Sequence, residues 1–174
     1  MVDKKTYHYC PYCGEKLVLK VVAQKKRGIC SNCGFIDYVN AKPAVGALIL
    51  NEKKKILLGK RAVEPGRGLW NIVGGFLEDR EYPIEGLKRE VKEETGLEVE
   101  PYKFFDFAVA YFDGLKQGWN YSLNILYFCR IISGKMLPAD DVTALKYFSL
   151  DKLPRMAFEH EKKILTHLRE YLQK

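Results

Sequence analysis

The 174-residue chain predicts an α+β fold, an α/β/α sandwich with strands covered by helices on two faces, preceded by a small metal-held module. Three observations carry this reading. Two Cys-x2-Cys pairs open the chain, apolar runs of strand length recur from Val45 to Leu150, and two stretches, 83–95 and 156–173, show helical spacing. At 47% apolar and 13% aromatic residues, the chain has ample material for a packed core. No apolar run approaches the roughly 18–20 residues of a membrane span, and no apolar leader follows Met1-Val2-Asp3-Lys4-Lys5. A soluble, cytoplasmic protein with no membrane partner is the expectation.

The module comes first. Cys10-Pro11-Tyr12-Cys13-Gly14 and Cys30-Ser31-Asn32-Cys33-Gly34 are separated by sixteen residues, the spacing of a four-thiolate zinc site. Each pair predicts a tight turn whose amides face the sulfurs and whose glycine takes the unusual backbone angle. Four sulfurs leave no open coordination position, so this zinc is structural. Lys16–Val22 reads as a strand and Gln24–Gly28 as the turn of a hairpin, which makes residues 1–40 a zinc ribbon. A redox role for the pairs is disfavoured because redox Cys-x2-Cys motifs normally occur singly. Cys129 lies inside an apolar run and reads as an inert core residue.

Residues 41–174 form the second expected domain, with Pro43 at its start. Val45–Leu50 and Lys55–Lys60 read as a hairpin, and Leu69–Val73 as a strand running into Gly74-Gly75. Leu97–Val99, Phe104–Phe112, Trp119–Ile132 and Leu145–Leu150 read as further strands. Alternation is clearest at Phe105, Phe107 and Val109. Met156–Gln173 is the terminal helix, with Phe158, Ile164, Leu165, Leu168 and Leu172 on its apolar side.

The chemistry concentrates in Gly75–Leu97. Pro83 at the first helical position and Gly96 as terminator bracket a helix on which Glu90, Glu93 and Glu94 share one side. Three carboxylates at this spacing repel each other, and a bound divalent cation is the natural compensation. Ile84, Leu87 and Val91 form the core-facing stripe. Glu94 lies at its edge, Glu90 further round and Glu93 furthest out. A solvated acidic helix face would explain neither Gly75 and Glu81 at their offsets nor Arg89 among the acids.

These residues resemble the Nudix box, Gly-x5-Glu-x7-Arg-Glu-U-x-Glu-Glu-x-Gly-U with U a bulky apolar residue. Gly75, Glu81, Arg89, Glu90, Val91, Glu93, Glu94, Gly96 and Leu97 fill all nine specified positions. The resemblance implies hydrolysis of a phosphoric anhydride with magnesium, or manganese in its place. It implies that Glu90, Glu94, Glu93 and the Gly75 carbonyl ligate the metal, that Arg89 holds the carboxylates and that Glu81 orients the loop. Glu90, Glu93, Asp141 and Glu159 are candidates for the general base. The family often has proline before Gly74-Gly75, where this chain has Val73.

Arg61, Arg67, Asp141 and Trp119 are candidate substrate contacts, with Phe112 and Tyr121 as further rings for a base or flavin. Each has an ordinary reading: surface arginine, polar turn, core aromatic. Glu159 and Glu161 read as acids meeting a helix dipole. A ribbon joined to a Nudix domain resembles the ADP-ribose or FAD pyrophosphatases and the NADH pyrophosphatases. Gly68-Leu69-Trp70, Tyr147–Pro154 and Met156-Ala157-Phe158 favour the first group, and the Ser-Gln-Pro-Trp-Pro-Phe-Pro pattern of the second is missing after Leu97. The implied substrate is a nucleoside diphosphate linked to another group, ADP-ribose ahead of FAD and NADH, releasing AMP, and the implied assembly is a homodimer.

The charge of +7 is uneven. Residues 1–42 carry eight basic against three acidic side chains, which places +5 there. Such a module can steer anions, or simply stay soluble. The rival function is a nucleotide-sensing regulator whose basic ribbon grips nucleic acid.

Overall fold

The computed structural model describes residues 7–111 and 121–173. They form two compact units, divided between Lys42 and Pro43, with Tyr111 and Tyr121 belonging to the first.

In the first unit β1 (Leu17–Val22) pairs antiparallel with β2 (Lys25–Cys30) in a register from Leu17↔Cys30 to Val22↔Lys25. The turn is Ala23-Gln24, two residues at φ 47° and 61°, and not Gln24–Gly28 as expected. Paired left-handed residues match the right-handed twist of the strands, but neither residue is the glycine or asparagine that would announce such a turn. Gly28 instead lies inside β2, where an added Cβ would stand 3.1 Å from Leu17 Cδ1. Val18, Leu19 and Val21 are exposed, while Cys10 and Cys30 are buried. The middle of this unit is its cysteines.

Apart from the terminal residues Lys42, Tyr111 and Tyr121, the second unit contains β3 (Lys42–Ile49), β4 (Ile56–Arg61), β5 (Trp70–Ile72), α1 (Pro83–Thr95), β6 (Leu97–Tyr111), β7 (Tyr121–Gly134), β8 (Val142–Phe148) and α2 (Glu159–Leu172). The architecture is the expected α+β fold. The expected hairpin of the first two strands does not form. β3 joins the sheet β3-β7-β6 and β4 joins β5-β4-β8, and among the described residues the two strands meet at the isolated bridge Leu50↔Ile56. A short turn makes neighbours possible, but side-chain parity decides which partners each strand takes.

That parity is plain in the core. Val45, Ala47, Ile49 and Leu57 pack with Leu87 and Val91 of α1, whereas Leu48, Ile56 and Leu58 pack with Ile164, Leu165 and Leu168 of α2. Alternate residues of β3 and β4 therefore meet a different helix on each side. In β6 the expected alternation is overturned: Phe105 packs on the α2 side, but Phe107 and Val109 are 64% and 61% exposed. β6 lies at the end of the strand order, where sheet geometry does not guarantee cover.

The terminal helix starts at Glu159, three residues later than expected. Phe158 is an extended N-cap, and Met156 forms a parallel bridge with Trp70. Among the described residues, no helix is long and apolar enough to cross a membrane.

Candidate zinc centre and acidic site

The two cysteine turns repeat one geometry. Cys10 N–H donates to Glu15 O and Gly14 N–H to Cys10 O, and the same pair of bonds links Cys30 N–H to Phe35 O and Gly34 N–H to Cys30 O. Gly14 and Gly34 take φ 75° and 76°, where a side chain would be strained. The sulfurs of Cys10 and Cys33, Cys13 and Cys30, and Cys13 and Cys33 stand 3.5, 3.4 and 3.7 Å apart. Zinc–sulfur bonds of ~2.3 Å in a tetrahedron demand sulfur separations of about 3.8 Å, so the four residues fit zinc. The Glu15 amide and the Cys30 sulfur pull Cys13 down to about 7. At Cys33 the Phe35 amide pulls downward, but the Cys10 thiol, burial and the other thiols prevail and carry it to about 12. Four crowded thiols ionise together only around a cation.

The acidic site is built on α1. Pro83 starts the helix and Gly96 ends it at φ 68°, its N–H bonded to Lys92 O. The expected grading of the acids holds. Glu94 is 2% exposed, the Glu90 side chain 15% and the Glu93 side chain 48%. Leu87 and Val91 are fully buried, but Ile84, one turn earlier, remains exposed.

Arg89 uses all five of its N–H groups. Nε and Nη2 hold Glu81 in a fork at 2.7 and 2.8 Å, Nη1 reaches Glu90 at 2.8 Å and Glu93 at 2.9 Å, and Nη2 also reaches Phe76 O at 3.1 Å. Glu81 consequently falls to about 2, through the Arg89 fork against burial and with help from the Glu78 amide. Its second oxygen also accepts Glu78 N–H at 2.9 Å, which staples the loop before α1. Gly86 leaves room for that staple, because a Cβ there would stand 2.8 Å from Glu81 Oε2.

Glu94 hangs on the loop after β5, its Oε2 accepting Gly74 N–H at 2.8 Å. Burial drives Glu94 well above the carboxylate range, the Gly74 amide opposes the rise, and the charges of Asp141 and Glu90 add to it. Glu90 is also raised by burial, against the pull of Arg89. Gly74 and Gly75 are both required. A Cβ at Gly74 would strike Val45 O, and one at Gly75 would fall on the Glu90 carboxylate. Gly75 O accepts Val45 N–H at 2.9 Å. Glu90, Asp141 and the Gly75 backbone thus lie around buried Glu94, whose rise both acids increase, and acids crowded in this way are a donor set suited to a divalent oxygen-seeking cation.

A family model for the NUDIX domain matches residues 40–168, and the zinc-ribbon model described as Nudix N-terminal matches residues 8–39. This chain belongs to the Nudix family. It is 33% identical over 132 residues to the ADP-ribose pyrophosphatase of Methanocaldococcus jannaschii, which covers 76% of each chain. It is 26% identical over 165 residues to the NAD-capped RNA hydrolase NudC of Pseudomonas aeruginosa, over 92% of this chain and 53% of that one. The chain spans about half the length of that NudC relative. Among solved structures it resembles a NUDIX hydrolase from Nitrosomonas europaea, with TM-score 0.75, 26% identity, and cover of 96% of this chain and 91% of the other.

In this Nudix hydrolase the outlying candidates divide. A register shift between β4 and β8 sets Arg61 opposite Val142, and a guanidinium nitrogen lies 3.9 Å from Asp141. Arg61 Nε also donates to Pro65 O at 2.8 Å, and the guanidinium lies 5.2 Å from the Phe158 ring centre. Arg67 is exposed on the loop before β5. Glu159 is an exposed partner of Lys162 at 2.7 Å, which lowers it. Tyr121 is exposed. Trp119 and Phe112 lie outside the described residues. Cys129 is buried as expected, and its burial lifts the thiol to about 12.

Glu161 differs most from its expectation. It is fully buried, and its Oε1 accepts Ile72 N–H at 2.9 Å. Helix position suggested a solvated acid at a dipole; Glu161 shares the helix face of Ile164, Leu165 and Leu168, three, four and seven positions on, and is carried inward with them. The Gly74 amide on Glu94 was equally hidden, since backbone donors leave no mark in a residue pattern.

Proposed function

We propose that the second unit hydrolyses the phosphoric anhydride of a nucleoside diphosphate linked to another group, ADP-ribose ahead of FAD and NADH, and releases AMP. One observation carries this reading: buried Glu94 and half-buried Glu90 face the same Gly74-Gly75 turn while Arg89 holds Glu90 and Glu81 fixed. Glu90, Glu94, Glu93 and the Gly75 carbonyl would hold magnesium or manganese, which when bound neutralises the diphosphate and acidifies an attacking water. Arg89 and Glu81 set the carboxylate orientation, as groups around metal ligands do. Of the candidate bases Glu90, Glu93, Asp141 and Glu159, we favour Asp141 as the acid outside the box that would accept a proton from water; its charge acting on Glu94 and Glu90 supports its nearness to them. The similarity to an ADP-ribose pyrophosphatase over three quarters of both chains supports the substrate order. A homodimer and a cytoplasmic location remain part of the proposal.

A second reading has its own support. Similarity to a NAD-capped RNA hydrolase extends over 92% of the chain and includes the ribbon, so the same cleavage at a nucleotide-capped RNA end is the competing use. The deciding experiment offers ADP-ribose, NADH, FAD, diadenosine polyphosphates, nucleoside triphosphates and NAD-capped RNA to the full chain with magnesium. AMP release fastest from ADP-ribose supports the proposal. Equal silence towards all of them, with binding to generic nucleic acid at submicromolar protein, supports the regulator instead.

A further inference from the structure

Beyond the acidic site, the edge of β5 is closed in an unusual way. Trp70 N–H donates to Arg155 O at 3.1 Å, and Ala157 N–H donates to Trp70 O at 2.7 Å, so the segment before α2 runs along β5 like a parallel strand. At the next place in that ladder no backbone arrives. Ile72 N–H is met by the Glu161 carboxyl at 2.9 Å, and Ile72 O by Asn71 Nδ2 at 3.0 Å. Two residues further on, Gly74 N–H holds Glu94. Glu161 therefore fixes the strand from which the turn that holds Glu94 departs.

Two acceptors are left over. Glu161 Oε2 and Asn71 Oδ1 are both buried and both lack a hydrogen-bond partner. Their other atoms hold the two sides of one residue, Ile72. Two buried oxygens without donors are costly to fold. A single proton on the Glu161 carboxyl converts one of the two from acceptor to donor.

We propose that Glu161 is a positioning residue that works as a neutral acid: Oε1 accepts Ile72 N–H while a proton on Oε2 is given to Asn71 Oδ1, which locks β5 and the Val73–Gly75 turn. Burial favours the neutral form and carries Glu161 to about 8, against the Ile72 amide and the Arg61 charge. Arg61 reaches it from β4. β5 contributes Asn71 and the Ile72 amide. His160, beside it on α2, is held down to about 4 by burial and does not titrate in the same range.

The kinetic arm of the test rests on the hydrolase reading; the spectroscopic arm does not. Glu161→Gln keeps an acceptor for Ile72 and a donor for Asn71, so it should keep kcat within about twofold at neutral pH. The natural chain should lose activity as pH rises past about 8, and Glu161→Gln should lack that decline. Glu161→Met should lower kcat about tenfold with KM within about threefold, the pattern of a displaced reactive group and not of lost substrate contact. Infrared spectra at neutral pH should show a protonated-carboxyl band that Glu161→Gln removes, a readout that needs neither substrate nor a folded Met variant. A Gln variant as impaired as Met, an unchanged alkaline limb in Gln, or no protonated-carboxyl band would each overturn the proposal. If the natural chain cleaves no anhydride but the band is present and lost in Gln, the hydrolase reading fails and the neutral acid stands.

Discussion

In the first unit, four sulfurs stand at nearly the spacing of a tetrahedron's corners and each cysteine turn is held by its own backbone bonds. In the second, the acids are held by other parts of the chain, Glu81, Glu90 and Glu93 by Arg89 and Glu94 by the Gly74 amide. Among the described residues, only the four cysteines form a group whose ligand atoms all lie within 4.8 Å of one another. A shell that closes on its ion makes structure; a shell held open by an arginine and a backbone amide leaves room for substrate oxygens and water.

The largest effect expected from this contrast is at Glu94. Glu94→Gln keeps the shape and the Gly74 bond but removes a charge from the proposed metal set, and AMP release should fall on the order of 10²–10⁴-fold. Zinc content should stay unchanged by elemental analysis. Loss of zinc together with activity would show that the two sites are not separable. The opposite perturbation is a strong zinc chelator. Structural zinc contributes about 10–16 kcal/mol to the folding of small modules, and the first unit buries little else. Hydrogen exchange should show β1 and β2 losing protection while α1 keeps it; protection that survives complete zinc removal would refute the structural role.

Arg89→Lys comes next. Lysine cannot reproduce the fork on Glu81 while also reaching Glu90 and Glu93, so kcat should fall about 10–100-fold and the magnesium requirement should rise. An unchanged magnesium titration would detach Arg89 from the metal set. Gly75→Ala tests the backbone side of the same arrangement, since its Cβ would fall on the Glu90 carboxylate. The expected loss in kcat is about tenfold with little change in melting temperature.

The two units also differ in how much of them could be read in advance. Cysteine spacing pointed to four sulfurs that the fold brings together, and the box positions to acids that it gathers around Arg89, because side-chain chemistry at fixed offsets survives in sequence. The grading Glu94, Glu90, Glu93 followed from helical periodicity alone. The Ala23-Gln24 turn escaped because neither residue announces a left-handed angle, and the first hairpin failed because partner choice is a tertiary matter. Phe107 and Val109 alternate like buried residues yet lie at a sheet edge. Glu161 was invisible for a further reason: its role depends on Ile72, a residue distant in sequence whose only contribution is an amide.

The smallest expected effect separates geometry from charge within the acidic site. The Arg89 fork lowers Glu81 to about 2 from an ordinary carboxylate value near 4.5. A carboxylate lowered on folding contributes stability that is complete above its unfolded value and is lost as pH falls through its folded value. Between pH 4.5 and about 2 the unfolded chain binds a proton at Glu81 that the folded chain does not, so the melting temperature should decline across that window. Glu81→Gln should be less stable near neutrality and should flatten that part of the profile, because it keeps the loop bond to Glu78 but loses the ionic fork. If the variant and the natural chain decline in parallel, Glu81 orients the loop through shape alone, and the acid sensitivity belongs to other carboxylates.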